Sequence, residues 1–252
     1  MEKEEQLLRK RILELAELSY QRDIPTHTDF LNLNEQTIFH SLARSMADVR
    51  QYLYGGYELA ERKVVCFLPS YMDENNFVPP VSCLRIAPVH EKFAQSLTHR
   101  DYLGAVMSLG IDRCKTGDIL LDGNQAYLFC MEDLAEYIAG GLSSIRHTSV
   151  SVEIQAFSEI SISPSFETIE GSIASLRLDN VLALAYKSSR GKIVPYIEGE
   201  RVFINGKLAA SNSASLKEGD IVSVRGLGRF HFKGIKNETK KGRIFVALDK
   251  YC

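Results

Sequence analysis

The residues of this chain best suited to chemistry are cations placed at helix starts and turns near its C-terminus. Arg177 precedes Leu178, Val181, Leu182 and Ala185, which fall on one helical face; Arg190 and Lys192 follow Ser189 at the start of a second short helix; Lys207 stands one residue past the turn Asn205-Gly206. Guanidinium forks match phosphate oxygens bidentately, and a helix N-terminus adds unpaired N–H groups and a favourable dipole. This spacing predicts a shared groove with Arg177, Arg190 and Lys192 along one side and Lys207 closing the end. Ser189 either caps the second helix or bonds phosphate. Lys187, Arg201, Asn205, Arg225 and Arg229 complete the candidate set. Pro195 removes a backbone donor inside the second helix and Gly191 weakens it further, so that helix is expected to be short or kinked.

The charge of the whole chain conceals this concentration. Residues 171–252 hold 15 Lys+Arg against 7 Asp+Glu, a net of +8, whereas residues 1–170 hold 15 against 25, a net of −10, so the formal total is −2. Screening confines a local potential to about 10 Å at moderate salt, so a basic unit attracts polyanions whatever the total. The acidic remainder argues against general stickiness to nucleic acid.

Signatures of catalysis are missing. There is no Gly-rich loop after a strand, no G-x-x-x-x-G-K-[ST] and no G-x-S-x-G. His99-Arg100-Asp101 echoes a kinase triplet without the Asn that should follow, and Thr98 and Asp101 fit a helix cap better. Asp118, after Gly117, is the one candidate for a lone catalytic carboxylate of an RNA isomerase, but the loop such an enzyme carries is absent. Cys66, Cys83, Cys114, Cys130 and Cys252 are spread singly, with no C-x-x-C pair and no histidine at zinc-ligand spacing, which reads as reduced and mostly buried thiols. No metal or cofactor is expected.

Around these residues the chain reads as three segments. In 1–75, Leu7, Leu8, Ile12, Leu15 and Ala16 mark an amphipathic helix, a second helix is expected from Asn34 to about Tyr54, and Lys63–Leu68 reads as a strand. In 79–157 the signals run strand Val81–Ala87, helix Thr98–Leu109, strands Gly117–Leu121 and Gln125–Met131 around Asp122-Gly123-Asn124, helix Glu132–Leu142 and strand Val150–Ala156. That order is β-α-β-β-α-β, the ferredoxin-like arrangement shared by many RNA-recognition domains. The aromatic strand that such domains use is replaced by Asn124–Met131, where Tyr127 and Phe129 share one face; either core packing or base stacking would account for them. Ser158–Ser172 mainly connects, with room for a strand or two. In 172–252, two helices sit against a small curled sheet containing Glu200–Ile204 and Asp220–Arg225. The fold class is therefore α+β. Apolar residues make up 45% and charged residues 25%, the N-terminus has no export-signal pattern, and no window is apolar enough to span a bilayer, so a cytoplasmic protein is expected.

The succession R-L-D at 177–179, S-S-R at 188–190, G-x-x-V-x-I-N-G-K at 199–207 and L-x-x-G-D-x-V-x-V at 216–224 resembles the RNA-binding domain of ribosomal protein S-four. Over nearly its full length, Gly55-Gly56-Tyr57, Ala60-Glu61-Arg62, Thr98–Ala105, Leu109-Gly110-Ile111-x-Arg113 and Gly117-Asp118-Ile119 look like the YlmH-type proteins of bacteria. The resemblance implies a non-enzymatic RNA binder encoded beside cell-division genes. Its implied partners are the large ribosomal subunit, rRNA and peptidyl-tRNA during rescue of stalled translation. Two other classes stay open: an RNA-modifying enzyme of pseudouridine-synthase or methyltransferase type carrying an S-four-like domain, and an adaptor meeting a protein partner through the acidic N-terminal region.

Overall fold

A computed structural model describes residues 2–42, 45–46, 48–157, 166–238 and 242–251. The chain divides into two compact units, 1–163 and 164–252.

In the first unit, α1 (Glu2–Arg22) lays Ile12, Leu15 and Ala16 onto a small sheet of β1 (Thr26–His27) and its neighbours. The next helix, α2 (Leu33–Ser41), is closed at its start by a capping box: Asn32 Oδ1 accepts from the Glu35 amide at 3.0 Å, and the Asn32 amide donates to Glu35 Oε2 at 2.7 Å. The helix expected over Asn34–Tyr54 therefore starts earlier and ends sooner, and Arg50–Tyr54 is instead a strand, β2. It pairs with β3 (Val64–Leu68), giving the order β1-β3-β2. All five residues of β3 are buried. Val65 and Phe67 pack beneath α1 and α2, while Val64, Cys66 and Leu68 face a second core. A strand buried on both faces reads as an unbroken apolar run, as Val-Val-Cys-Phe-Leu does.

That second core is shared with the ferredoxin-like part. The elements follow the sequence reading with one strand added to it: β4 (Val81–Pro88), α3 (His99–Met107), β5 (Thr116–Asp122), β6 (Gln125–Met131), α4 (Ala135–Gly141), the added short β7 (Ser144–Ile145) and β8 (Thr148–Gln155). They form an antiparallel sheet in the order β5-β6-β4-β8-β7. Asp122 pairs with Gln125, so Gly123-Asn124 is a two-residue turn, and Gly123 takes a φ of +57°. Alternation divides β6 between two environments: Ala126, Leu128 and Cys130 pack under α3 and α4, whereas Phe129 and Met131 turn to the core shared with β3.

In the second unit, β9 (Phe166–Ile173) is followed by α5 (Leu178–Ala185) and α6 (Arg190–Glu198), then β10 (Val202–Ile204), β11 (Lys207–Leu208), β12 (Ile221–Val224), β13 (Gly228–Glu238) and β14 (Ile244–Tyr251). The six strands are antiparallel in the order β11-β10-β12-β13-β14-β9. Leu178, Val181, Leu182, Ala185, Ile193 and Ile197 bury one side of the helix pair against Val222, Phe230, Phe232 and Leu248. The connector expected over Ser158–Ser172 is thus partly strand β9; its residues 158–165 lie outside those described. The helix α6 runs nine residues and passes through Pro195. Pro195 has no N–H to offer the Gly191 carbonyl one turn earlier.

Candidate nucleic-acid interface

At the mouth of the α5–α6 pair, two guanidinium groups converge on one buried carboxylate. Arg177 is the N-cap residue of α5, and its Nε and Nη2 donate to Asp179 Oδ1 and Oδ2, both at 3.3 Å. Arg190, the first residue of α6, donates from Nη2 to Asp179 Oδ2 at 2.5 Å. The Asp179 side chain is 1% exposed, against 43% for Arg177 and 57% for Arg190. Burial alone would raise the carboxyl pKa, but hydrogen bonds and charge from Arg177 and Arg190 outweigh it and hold the group below its ordinary value. The carboxylate holds Arg177 through Nε and Nη2 and Arg190 through Nη2 alone, and leaves the rest of each guanidinium to solvent. Two cations held together by one anion keep a net positive charge, which is the arrangement a phosphate group fits.

The two helix starts differ. In α5 the Leu178 and Asp179 amides donate to the carbonyls of Ala214 and Asn212, at 2.9 and 3.3 Å, so the unpaired donors expected at that end are already used. The structure corrects the sequence expectation there: the loop before β12 folds over the helix and takes the donors. Asn212 also keeps its side-chain Oδ1 buried without a partner among the described residues, beside the clamp. In α6, Ser189 is the N-cap through its backbone carbonyl, which accepts from Lys192 and Ile193; its hydroxyl makes no capping bond. The hydroxyl has no hydrogen-bond partner among the described residues.

The other sequence-selected residues do not all join this site. Lys187, with a left-handed φ of +46° just past α5, turns to Glu167 on β9 at 2.7 Å. Lys192 is exposed and makes no ion pair among the described residues. Asn205 and Gly206 both have positive φ, +49° and +75°, and form the two-residue hairpin turn between β10 and β11. Both ends of the Asn205 amide are engaged, Nδ2 by Asp220 at 2.8 Å and Oδ1 by the Ile221 amide at 2.9 Å. Lys207 lies on the outermost strand, exposed. Arg201 lies over the Tyr196 ring at 4.5 Å and donates to the Arg225 carbonyl at 2.7 Å, while Arg225 lies over Phe203 at 4.8 Å and Arg229 over Tyr251 at 4.3 Å. Phe230 points into the core beneath the helices, so its neighbour Arg229 projects from the opposite face of the sheet. The structure brings Arg177 and Arg190 into one site; Arg229 belongs to the far side, and Asn205 and Arg201 are occupied in holding turns. Sequence reasoning missed Asp179 as the organiser and Tyr186, Tyr196 and Lys250 as further members of the cation–aromatic surface, Lys250 lying 5.3 Å over the Tyr186 ring.

Two candidates in the first unit resolve into structure. Phe129 is fully buried, with Gly56 and the Tyr57 ring against it, the latter at 5.1 Å between centroids, so this face of β6 is packed and stacks no base on Phe129. Tyr127 is half-buried beside it. Asp118 Oδ2 accepts from the Tyr57 hydroxyl at 2.9 Å and the Glu61 amide at 2.7 Å. Nearby, Arg62 donates to the carbonyls of Thr116 and Phe30 at 2.9 and 3.0 Å. Burial, then the charge of Arg62, lowers the Arg113 guanidinium to about 10. Asp118 therefore anchors the segment after β2 to β5. His99-Arg100-Asp101 opens α3, where Asp101 accepts from the Thr98 amide and hydroxyl. No group of three or more His, Cys, Asp or Glu among the described residues is placed to hold a metal, and no helix among them is long and apolar enough to cross a membrane.

Three family models match the chain: one described as "YlmH, N-terminal" over residues 4–72, one described as "Putative RNA-binding domain in YlmH" over 82–159, and one described as the S4 domain over 176–222. The ribosome-associated protein quality control protein P2 of Bacillus subtilis (strain 168) is 34% identical over 226 residues, which span 88% of this chain and 86% of that protein. Among solved structures, the cell division protein ylmH from Streptococcus pneumoniae superposes with a TM-score of 0.53 at 21% identity. That match covers 64% of this chain and 95% of the other and shows a shared fold.

Proposed function

The chain belongs to the YlmH family, and from that premise we propose that it binds structured rRNA and tRNA on the large ribosomal subunit during rescue of stalled translation, as a holder of RNA with no reaction of its own. The observation that carries this reading is the Arg177–Asp179–Arg190 clamp, two exposed guanidinium groups fixed by one buried carboxylate within the matched S4 domain. It sits in a segment of net charge +8, which supports a polyanionic ligand. Lys192 and the Ser189 hydroxyl extend the clamp along the start of α6, and Lys207, Lys187, Arg225 and Arg229 supply longer-range attraction. The name of the Bacillus relative, ribosome-associated and concerned with quality control, supports the ribosome as the place where that RNA is met. Engagement of Asp118 by Tyr57 and Glu61 favours holding over catalysis.

Sedimentation of the full chain with purified large ribosomal subunits at rising salt tests the proposal. Co-sedimentation that weakens steeply with salt is expected, and failure to pellet with the subunit at low salt would overturn it.

A further inference from the structure

Beside the turn that joins α5 to α6, the C-terminal unit has an open cleft of about 360 Å³ lined by Tyr186, Ser188, Lys192, Ile193, Tyr196 and Leu227. Its aromatic walls are held in place. The Tyr186 hydroxyl donates to the Gly228 carbonyl at 2.9 Å, and its ring meets Phe230 edge-on at 6.1 Å. Cations gather around the same two rings, Lys250 at Tyr186 and Arg201 at Tyr196. No carboxylate among the described residues lines the cleft, and the Ser188 hydroxyl and Lys192 ammonium bond to none of them. The clamp residue Arg190 leaves the same turn four residues after Tyr186.

We propose that this cleft receives one unstacked nucleobase of the bound RNA, its ring against the tyrosines and its phosphate against Lys192. Every nucleobase offers a π-face to an aromatic wall, and a cation at the rim meets the phosphate that travels with it. A continuous duplex keeps its bases stacked and offers the clamp phosphates alone. The cleft thus adds a preference for RNA with a bulged or looped-out base, and this inference rests on the RNA-binding reading above.

Two duplex RNAs of matched phosphate count, each annealed from two strands and so without a loop, test it with the full chain, one fully paired and one carrying a single bulged 2-aminopurine. The chain should bind the bulged RNA on the order of tenfold tighter and quench its fluorescence. Tyr196→Leu should remove the preference and the quenching while the paired duplex is still bound, and Tyr196→Phe should retain both. Lys192→Ala, at an exposed position, should weaken the bulged RNA more than the paired one. Equal affinity of the unaltered chain for the two duplexes, or a preference that survives Tyr196→Leu, would overturn the cleft while leaving RNA binding intact. Binding of neither duplex would sink the RNA reading and the cleft together.

Discussion

Arg190 and Asp179 lie eleven residues apart in the chain and 2.5 Å apart in space, the guanidinium Nη2 of one on the buried carboxylate Oδ2 of the other. The contact fastens the start of α6 to the start of α5. Folding and the proposed RNA binding therefore draw on the same side chains.

Removing both arginines should unfold the site as well as disarm it. Arg177→Ala with Arg190→Ala leaves the Asp179 charge buried without a cation, and the pair of substitutions should destabilise the C-terminal unit by about 2–3 kcal/mol, less than for a fully buried pair because both arginines are partly solvated. Urea unfolding of the full chain reads this. A destabilisation below about 0.5 kcal/mol would mean that the carboxylate finds other donors.

The same group gives the C-terminal unit an acid-sensitive step. Asp179 is held below its ordinary value of 3.8, so the folded state binds its proton less readily than the unfolded chain does. Its contribution to stability is present above about pH 3.8 and is lost as pH falls through the lower folded value. Acid titration followed by near-ultraviolet circular dichroism should show that Asp179→Asn flattens this part of the stability profile. An unchanged profile would contradict the assignment.

The sequence shows the architecture best where alternation is unbroken. The order β4-α3-β5-β6-α4-β8 is legible because each strand alternates and each helix is bounded, as Thr98 with Asp101 bounds α3. The strand β13 is hidden, since Gly234 and two register shifts interrupt the alternation of Phe230 and Phe232, whereas β14 is paired without a break. Strand β2 hides within an apparent long helix because Asn34 has the side chain of a cap, a role that Asn32 performs. In the site, the cations are legible by type. The role of Asp179 is not, because a carboxylate in a basic segment reads as partial neutralisation until α6 folds back and places Arg190 upon it.

Gly56 tests the join within the first unit. Its φ is +97°, and a Cβ there would stand 2.1 Å from Phe129 Cδ1. Gly56→Ala should cost at least about 2 kcal/mol in thermal or urea unfolding, from strained backbone and overpacking together. Gly110→Ala, with a φ of +81° and open space around it, should cost about 1 kcal/mol from backbone conformation alone. Equal destabilisation at the two sites would contradict the packing of Phe129 against Gly56.

Thiol reactivity should separate the cysteines. Burial pushes the Cys66, Cys83 and Cys130 thiols up to about 12, and all three lie in the cores. Cys114 is exposed, its thiol raised by burial and by Asp29. Maleimide labelling of the native chain with peptide mapping should modify Cys114 slowly at neutral pH and spare Cys66, Cys83 and Cys130 until the protein is unfolded, Cys252 lying outside the described residues. Rapid labelling of Cys130 would contradict the packing of β6.

The most direct test of the clamp is the salt dependence of RNA affinity for a triple variant, Arg177→Gln, Arg190→Gln and Asp179→Asn, which removes both cations together with the buried anion and so leaves no orphaned charge. With a structured RNA and the full chain, the log–log slope should become shallower by about 0.9 for each phosphate that the protein no longer neutralises, and affinity should fall at least about tenfold while urea unfolding stays near that of the unaltered chain. An unchanged slope and affinity in a folded triple variant would show that RNA is held elsewhere.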